Sequence, residues 1–291
     1  MGVEISVIIP TFNRPKQLKK CLLSVAQAAQ TSPRLLFEII IVDDGSKLDI
    51  RKSVLGTFPE MDIKYIFQEN KGQAAARNAG TRSAQGNIIV FLDDDCVPNN
   101  DWLLNISKAF SGQNDVQIAQ GAITYDHNLN PFYQTTRLIV QIADPVRIVT
   151  SKDGKQYALH VDTGNFAIRK FTLFQNSLFF DEKLTPREDE DLYRRIEQCK
   201  IPVLYINNPV LHLCSSGPFV NYRRHYGYGR GEFHLRKKWG QWKLRLHYDL
   251  SFKNIVKNVG WVWAPALWAV NKYFVWSCSR GFQRESKTNG T

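Results

Sequence analysis

The sequence holds five cysteines, Cys21, Cys96, Cys199, Cys214 and Cys278, and no two of them are close. An odd, scattered set argues against a disulfide framework and against a zinc cluster, and it fits a reducing compartment. No basic segment precedes the first apolar run, which breaks at Pro10, so a cleaved signal peptide is not expected. Met1-Gly2 followed by Ser6 has the form of a myristoylation start, but a buried first strand accounts better for these residues. Long hydrophobic runs are missing too. The stretch from Trp261 to Val270 is broken by Pro265 and is about half the roughly 20 residues that a membrane span needs. There is no internal repeat and no low-complexity segment. Acids are scarce in one region: from Gly217 onward 14 Lys and Arg face 3 Asp and Glu, whereas residues 1–216 carry 24 of each. The whole net charge of +11 therefore lies in the tail, with six of the seven tryptophans. A basic, aromatic tail calls for an anionic partner, a lipid surface or a nucleic acid.

What is present is an alternation. Ile5 to Ile9, Phe37 to Val42, Lys64 to Phe67 and Ile88 to Leu92 read as strands. Arg14 to Ala29, Gln73 to Ala84 and Asp101 to Phe110 have helical spacing between or after them. Such alternation predicts a mainly parallel sheet with right-handed crossovers. Further on, Ile118 to Thr124, Tyr157 to Val161 and Val203 to Ile206 read as strands and Asp189 to Cys199 as a helix. The polar stretch between 124 and 157 reads as a loop or short helix. The composition changes after Ser215-Ser216-Gly217-Pro218, which sets the expected boundary between a domain at 1–216 and a helical tail at 217–291.

The most informative motif is Asp93-Asp94-Asp95 at the end of the strand Ile88–Leu92. A strand buried on both faces puts these acids at the sheet's carboxyl edge, where open α/β sheets bind ligands. Three neighbouring carboxylates call for a cation, and Mg²⁺ or Mn²⁺ prefers carboxylate oxygen and often also holds a diphosphate. In an extended segment Asp93 and Asp95 point the same way and Asp94 points elsewhere.

Five further segments have both a chemical and a bland reading. Asp43-Asp44-Gly45-Ser46 can hold a base or ribose, or simply make a turn. Pro10-Thr11-Phe12-Asn13-Arg14-Pro15 is a nucleotide loop or the entry to a helix. Asn70 to Gly80 offers Lys71, Gly72 and Arg77 to phosphate at a helix start, or is a solvated surface helix. In Thr163 to Arg169, Gly164 permits close ligand approach or makes an ordinary turn. Arg187-Glu188-Asp189-Glu190-Asp191 satisfies a helix dipole, or supplies a general base from one of more acids than a cap requires. His212 is a structural histidine unless it reaches the metal on Asp95.

In this order the segments resemble the family 2 glycosyltransferases over residues 4–216. Ser6 to Arg14 is similar to the opening strand and nucleotide loop, and Ile41 to Ser46 to the second signature. Asn70 to Gly80 matches N-x-G-x-x-x-A-R-N-x-G, and Phe91 to Asp95 with Pro98 matches the DxD motif. Thr163 to Arg169 resembles G-N-x-A-x-R, and Glu188 to Leu192 resembles E-D-x-D-L. The resemblance implies a GT-A fold: a Rossmann-like mixed α/β sheet flanked by helices. It implies a donor set of Pro10, Thr11, Asn13, Arg14, Asp43, Asp44, Lys71, Gly72, Arg77, Asp93 and Asp94, with Asp93 near the ribose and no more specific role for Asp94. Asp95 and His212 would hold a divalent cation, Mg or Mn. Asp189 would be the catalytic base, and Gly164, Asn165 and Glu188 would border the acceptor. One departure is Ser177-Leu178-Phe179-Phe180-Asp181-Glu182, where many relatives have Gly-Gly-Phe-Asp-Glu.

The implied reaction is inverting transfer from a nucleotide-diphosphate sugar, a UDP-sugar first, to a hydroxyl of a saccharide or lipid-linked acceptor. The competing readings are a metal-dependent nucleotidyltransferase, which Thr11 to Pro15 disfavours by lacking glycine, and a non-catalytic sugar-nucleotide-binding protein. Tyr222 to Gly231 in the tail either closes over the diphosphate or acceptor or forms a tyrosine-packed helix. The Trp-rich segment after Asn258 is expected to lie on a membrane surface, giving a cytoplasmic protein peripheral contact through 219–284 at the inner face of the membrane. Its alternative is a helical hairpin packed on the body or in an oligomer. No recognisable module supports a nucleic-acid partner.

Overall fold

The computed structural model describes residues 2–111, 116–125, 148–184, 186–213, 218–240 and 251–288. The stretches read as a loop at 126–147 and as the domain junction at 214–217 lie outside the described residues. The described residues form two compact units. One comprises 2–111, 116–125, 148–182 and 188–213; the other comprises 183–184, 186–187, 218–240 and 251–288.

The first unit is built on β1 (Ile5–Thr11), β2 (Phe37–Asp43), β3 (Ile63–Phe67), β4 (Ile88–Leu92), β5 (Cys96–Pro98), β6 (Ile118–Tyr125), β7 (Ile148–Thr150), β8 (Gln156–Ala158), β9 (Asn165–Arg169) and β10 (Val203–His212). These strands form one sheet in the order β3-β2-β1-β4-β9-β6-β10-β8-β7, with β5 pairing β10. The pairs β2–β3, β1–β2, β1–β4 and β6–β10 are parallel. β9 runs antiparallel between β4 and β6, so the sheet is mixed, as the resemblance implies. The helices are α1 (Pro15–Gln30), α2 (Ile50–Ser53), α3 (Gln73–Ser83), α4 (Trp102–Ser111), α5 (Lys170–Gln175) and α6 (Glu188–Gln198).

The continuous apolar runs of β1, β2 and β4 follow from burial on both faces. Ile5, Val7 and Ile9 join Ile39, Ile41, Val90 and Leu92 in a core with Leu18 and Leu22 of α1 and Ile106 of α4. The alternate residues Ile8, Ile40, Val42, Ile89 and Phe91 pack with Ala74 and Ala76 of α3 and Leu192 and Ile196 of α6. Because β1, β2, β4, β6 and β10 run the same way, their carboxyl ends meet at one edge.

Two expectations shift. Val203 to Ile206 and the apolar residues before His212 are one strand, with its register irregular between Ile206 and Val210. The strand expected at Tyr157 to Val161 is three residues, Gln156–Ala158, because it meets β10 only where Tyr157 faces Leu204.

The second unit contains α7 (Pro218–Lys238) and α8 (Phe252–Thr288). His225 stacks on Phe274 at 4.0 Å, and Phe233 meets Phe282 edge-on at 5.4 Å. Gly229 lies on the backbone of Cys278, and Gly281 on that of Tyr226; a Cβ on either would collide with a carbonyl oxygen. The absent side chains let the two backbones touch. Partner numbers rise together along both helices, so α7 and α8 run parallel here. This corrects the hairpin alternative, which requires antiparallel helices. Among the described residues no helix is long and apolar enough to cross a membrane.

Candidate active site

The register brings the site together. Thr11 faces Asp43 across β1–β2, and Leu92 faces Asn165 across β4–β9. His212, last in β10, faces Cys96 of β5, and Leu213 N donates to Asp95 O at 2.7 Å. The DxD acids, the glycine motif and His212 thus share the sheet's carboxyl edge.

Asp93 to Asp95 is a turn rather than an extended segment, with Cys96 N donating to Asp93 O at 3.0 Å. The expected pairing of Asp93 with Asp95 is therefore overturned. It is Asp94 and Asp95 that share a cation: Arg14 Nη1 lies 3.0 Å from Asp94 Oδ1 and 2.8 Å from Asp95 Oδ2. Asp94 Oδ2 also accepts from Thr11 Oγ1 at 2.7 Å. Asp94 thus acquires a position that the sequence left undefined, tying the first loop to the DxD turn. Burial pushes its carboxyl up to about 7, against the pull of Arg14 and with Asp95 adding to the rise.

Asp93 turns the other way. Arg77 Nη2 donates to Asp93 Oδ1 at 2.7 Å, and its Nη1 donates to Glu188 Oε1 at 2.9 Å. Gln73 Nε2 donates to the same Glu188 oxygen at 2.5 Å. Arg77 is 1% exposed and Glu188 2%. This corrects two expectations. The Arg77 guanidinium is enclosed between two acids rather than open to a nucleotide, and Glu188 is enclosed rather than bordering an acceptor. Burial raises the Glu188 carboxyl above its ordinary value, with Arg77 opposing and Asp189 adding.

The remaining donor-set residues sort by what they hold. Asp43 accepts from Ser46 N at 2.8 Å and from Tyr65 Oη at 2.7 Å. Asp44 accepts from Lys71 N and Gly72 N, each at 2.8 Å, and from Gln68 Nε2 at 2.7 Å. The backbone N–H groups expected to meet phosphate before α3 are therefore occupied by a carboxylate. The Lys71 side chain stays exposed. Asn13 N donates to Ser46 Oγ at 2.7 Å and Asn13 Oδ1 accepts from Lys47 N at 2.8 Å, stitching the first two loops together. Pro10 is buried in register with Val42.

On the far side of Asp93, Gly164 N donates to Asp162 Oδ1 at 3.0 Å. A Cβ on Gly164 would stand 3.4 Å from Asp93 Oδ2, so backbone passes close to this acid. Asn165 corrects its expectation: it is buried, accepts from Trp102 Nε1 at 3.0 Å, and donates to Ala122 O and Asn208 O at 2.9 and 2.7 Å. Its amide is spent on the sheet and has none left for an acceptor.

Asp162 was not singled out from the sequence; its only signal is its place two residues before Gly164. Burial pushes its carboxyl up to about 6, and the charges of Asp189 and Asp93 add to the rise while Gly164 N–H and His212 oppose it. Asp162 thus senses the DxD edge, the start of α6 and the end of β10. Asp189 itself is half-buried in the first turn of α6, where Glu190 N donates to its Oδ1 at 2.8 Å.

For a cation, Asp95 Oδ1 and His212 Nε2 lie 3.4 Å apart, and Cys96 Sγ falls within 4.8 Å of both ligand atoms. Burial, with Asp93 and Asp95, pushes the Cys96 thiol well up and keeps it protonated. That leaves one hard oxygen and one imidazole, a set that fits Mn²⁺ or Mg²⁺.

The sequence profile of Glycosyl transferase family 2 matches residues 6–178. The chain belongs to this family. Among curated relatives, the glycosyltransferase AglE of Haloferax volcanii is 36% identical over 37% of this chain and 36% of its own length. The glycosyltransferase GlyA of Streptococcus pneumoniae is 31% identical over 70% of this chain and 29% of its own length. The matches thus span about a third of these relatives. Among solved structures, S. aureus TarS residues 1–349 superpose with a TM-score of 0.55 at 16% identity, covering 99% of this chain and 92% of that one. That likeness shows the shared GT-A fold. TarS has been solved with UDP and with UDP-GlcNAc.

Proposed function

We propose that this family 2 member is an inverting glycosyltransferase. It moves a sugar from a nucleotide-diphosphate donor to a hydroxyl of a saccharide or lipid-linked acceptor. The observation that carries the reading is the buried Arg77, which joins Asp93 at the DxD edge to Glu188, next to Asp189. One guanidinium holds the donor-side acid and the base-bearing helix start in fixed relation. The complexes of TarS support a UDP-sugar as the first donor to test.

Thr11, Asp43 and Lys71 line the nucleotide end, and Asp93 faces the ribose. Asp95 and His212 would hold a divalent cation, which would neutralise charge on the diphosphate. Asp189 accepts the proton of the acceptor hydroxyl as that oxygen attacks the anomeric carbon opposite the diphosphate. The C–O bond to the diphosphate breaks as the new one forms, so a single displacement inverts the anomeric centre.

A panel of sugar nucleotides incubated with Mn²⁺ tests the proposal. Release of nucleoside diphosphate from one donor, with an inverted product in the presence of acceptor, is expected. Release of pyrophosphate, or retention of anomeric configuration, overturns it.

A further inference from the structure

The two faces of α8 have different chemistry. The inner face is a regular stripe: Leu267, Asn271, Phe274, Cys278, Gly281 and Glu285 are buried. Their spacing alternates four and three, the period of helices packed along their length. Glu285 is the only acid in α8. It points inward, bonded to Arg230 and, at 3.2 Å, to His234.

The opposite face carries Trp268, Lys272, Trp276, Arg280, Arg284 and Lys287. Trp268 is 40% exposed and Trp276 51%, uncommon for so large an apolar side chain. Lys272 Nζ lies 5.9 Å from the Trp268 ring centre, and the Arg280 guanidinium lies 5.8 Å from that of Trp276. The four residues alternate aromatic and cationic over about 18 Å of helix. The helix places no acid of its own on this face, Glu285 lying on the other. Around Trp268 the exposed residues are apolar, Pro265, Ala266 and Ala269, while basic residues lie exposed on either side, Lys253 and Lys257 before them and Arg280, Arg284 and Lys287 after them.

We propose that this face of α8 is a docking surface for an anionic lipid bilayer, with the helix lying in the headgroup plane. Three features select this partner. Tryptophan rings bearing cations on their faces suit the boundary between headgroups and chains. Four cations without an acid complement anionic headgroups. The helix is too polar to span, so it lies at the surface. A nucleic acid would use the cations and not require the apolar patch around Trp268. A second copy of the chain would meet like charge with like charge.

Sedimentation of the full chain with phosphatidylcholine vesicles, with and without phosphatidylglycerol, tests this. Binding only to vesicles containing phosphatidylglycerol is expected, with a blue shift of tryptophan emission. Lys272→Gln with Arg280→Gln should weaken binding on the order of 30-fold at low salt. Trp268→Ala with Trp276→Ala should weaken it about tenfold or more and abolish the blue shift, including at high salt. Lys19→Gln with Lys20→Gln, which removes the same charge from α1, should bind like the parent chain. Circular dichroism must match across all variants, as expected for exposed positions.

The proposal fails if the parent chain ignores anionic vesicles, or if the α1 pair loses as much affinity as the α8 pair. It also fails if single-stranded DNA strips the chain from vesicles without restoring the emission, or if the tryptophan pair changes only the oligomeric state. The assay contains no sugar nucleotide, so its failure leaves the proposed transfer reaction untouched.

Discussion

Two arginines each hold two acids, and they do so in opposite surroundings. Arg14 reaches Asp94 and Asp95 with a side chain 43% exposed; Arg77 reaches Asp93 and Glu188 with one 1% exposed. Solvent reaches Arg14 itself, so water can take its place, although Asp94 and Asp95 are only 5% and 10% exposed. Solvent does not reach Arg77, and without it Glu188, 3% exposed, would keep a buried charge. The DxD turn is therefore divided. Asp93 belongs to a fixed frame running to the start of α6, whereas Asp95 lies beside a cation that can be exchanged. The fixed half suits the positioning of reacting groups, and the exchangeable half suits the binding of a metal and a diphosphate.

The largest effect that would break this contrast is at Arg77. Arg77→Ala should lower unfolding free energy by about 3–5 kcal/mol, because the buried Glu188 and the part-buried Asp93 lose their cation; a urea titration that shifts by less than a fifth of that would show that the frame is not fixed. Asp189→Asn should slow transfer about 10²–10⁴-fold while leaving donor affinity nearly intact. Transfer at the parent rate would remove Asp189 from the chemistry. Asp95→Ala should abolish the Mn²⁺-dependent part of donor binding, read by calorimetry with and without the ion; unchanged heats would place the metal elsewhere. Arg14→Ala should cost less stability than Arg77→Ala, because water can reach the place its 43% exposed side chain leaves, and a cost matching that of Arg77→Ala would erase the distinction.

The smallest effect is a slope. Asp162 titrates near 6 in the fold against an ordinary 3.8, so between those values the folded chain binds more protons than the unfolded one. Its contribution to stability therefore falls as pH rises through that window. In chelator, the melting temperature of Asp162→Asn relative to the parent should climb from about pH 4 to about pH 6 and then level off. A flat difference would mean that Asp162 is not held out of water.

Much of this was legible in the chain. The runs of β1, β2 and β4, apolar at most positions, announced a doubly covered sheet, and the acids at the ends of β2 and β4 announced its working edge. The partners of those acids were not legible. Alternation predicted that Asp93 and Asp95 would point the same way, but a turn replaced the extended segment. Asp44 and Asn165 looked like ligand contacts, yet one caps the loop before α3 and the other is consumed by backbone carbonyls. Asp162 had no motif of its own, and its importance arises from charges brought in by three distant segments. The basic, Trp-rich tail was plain from composition, but not which of its residues face outward.

The sequence alone determined the layers, the succession of strands and helices up to β4, the family, and which residue types gather at the carboxyl edge. Those properties follow from local periodicity and from motif order, which one chain carries in itself. Tertiary structure alone decided the pairings: Arg14 with Asp94 and Asp95, Arg77 with Asp93 and Glu188, and Gly229 with Cys278. A charge is neutralised, and a backbone is approached, across tens to a hundred residues of chain. The free energy of such a contact depends on burial and distance, and only the fold fixes both.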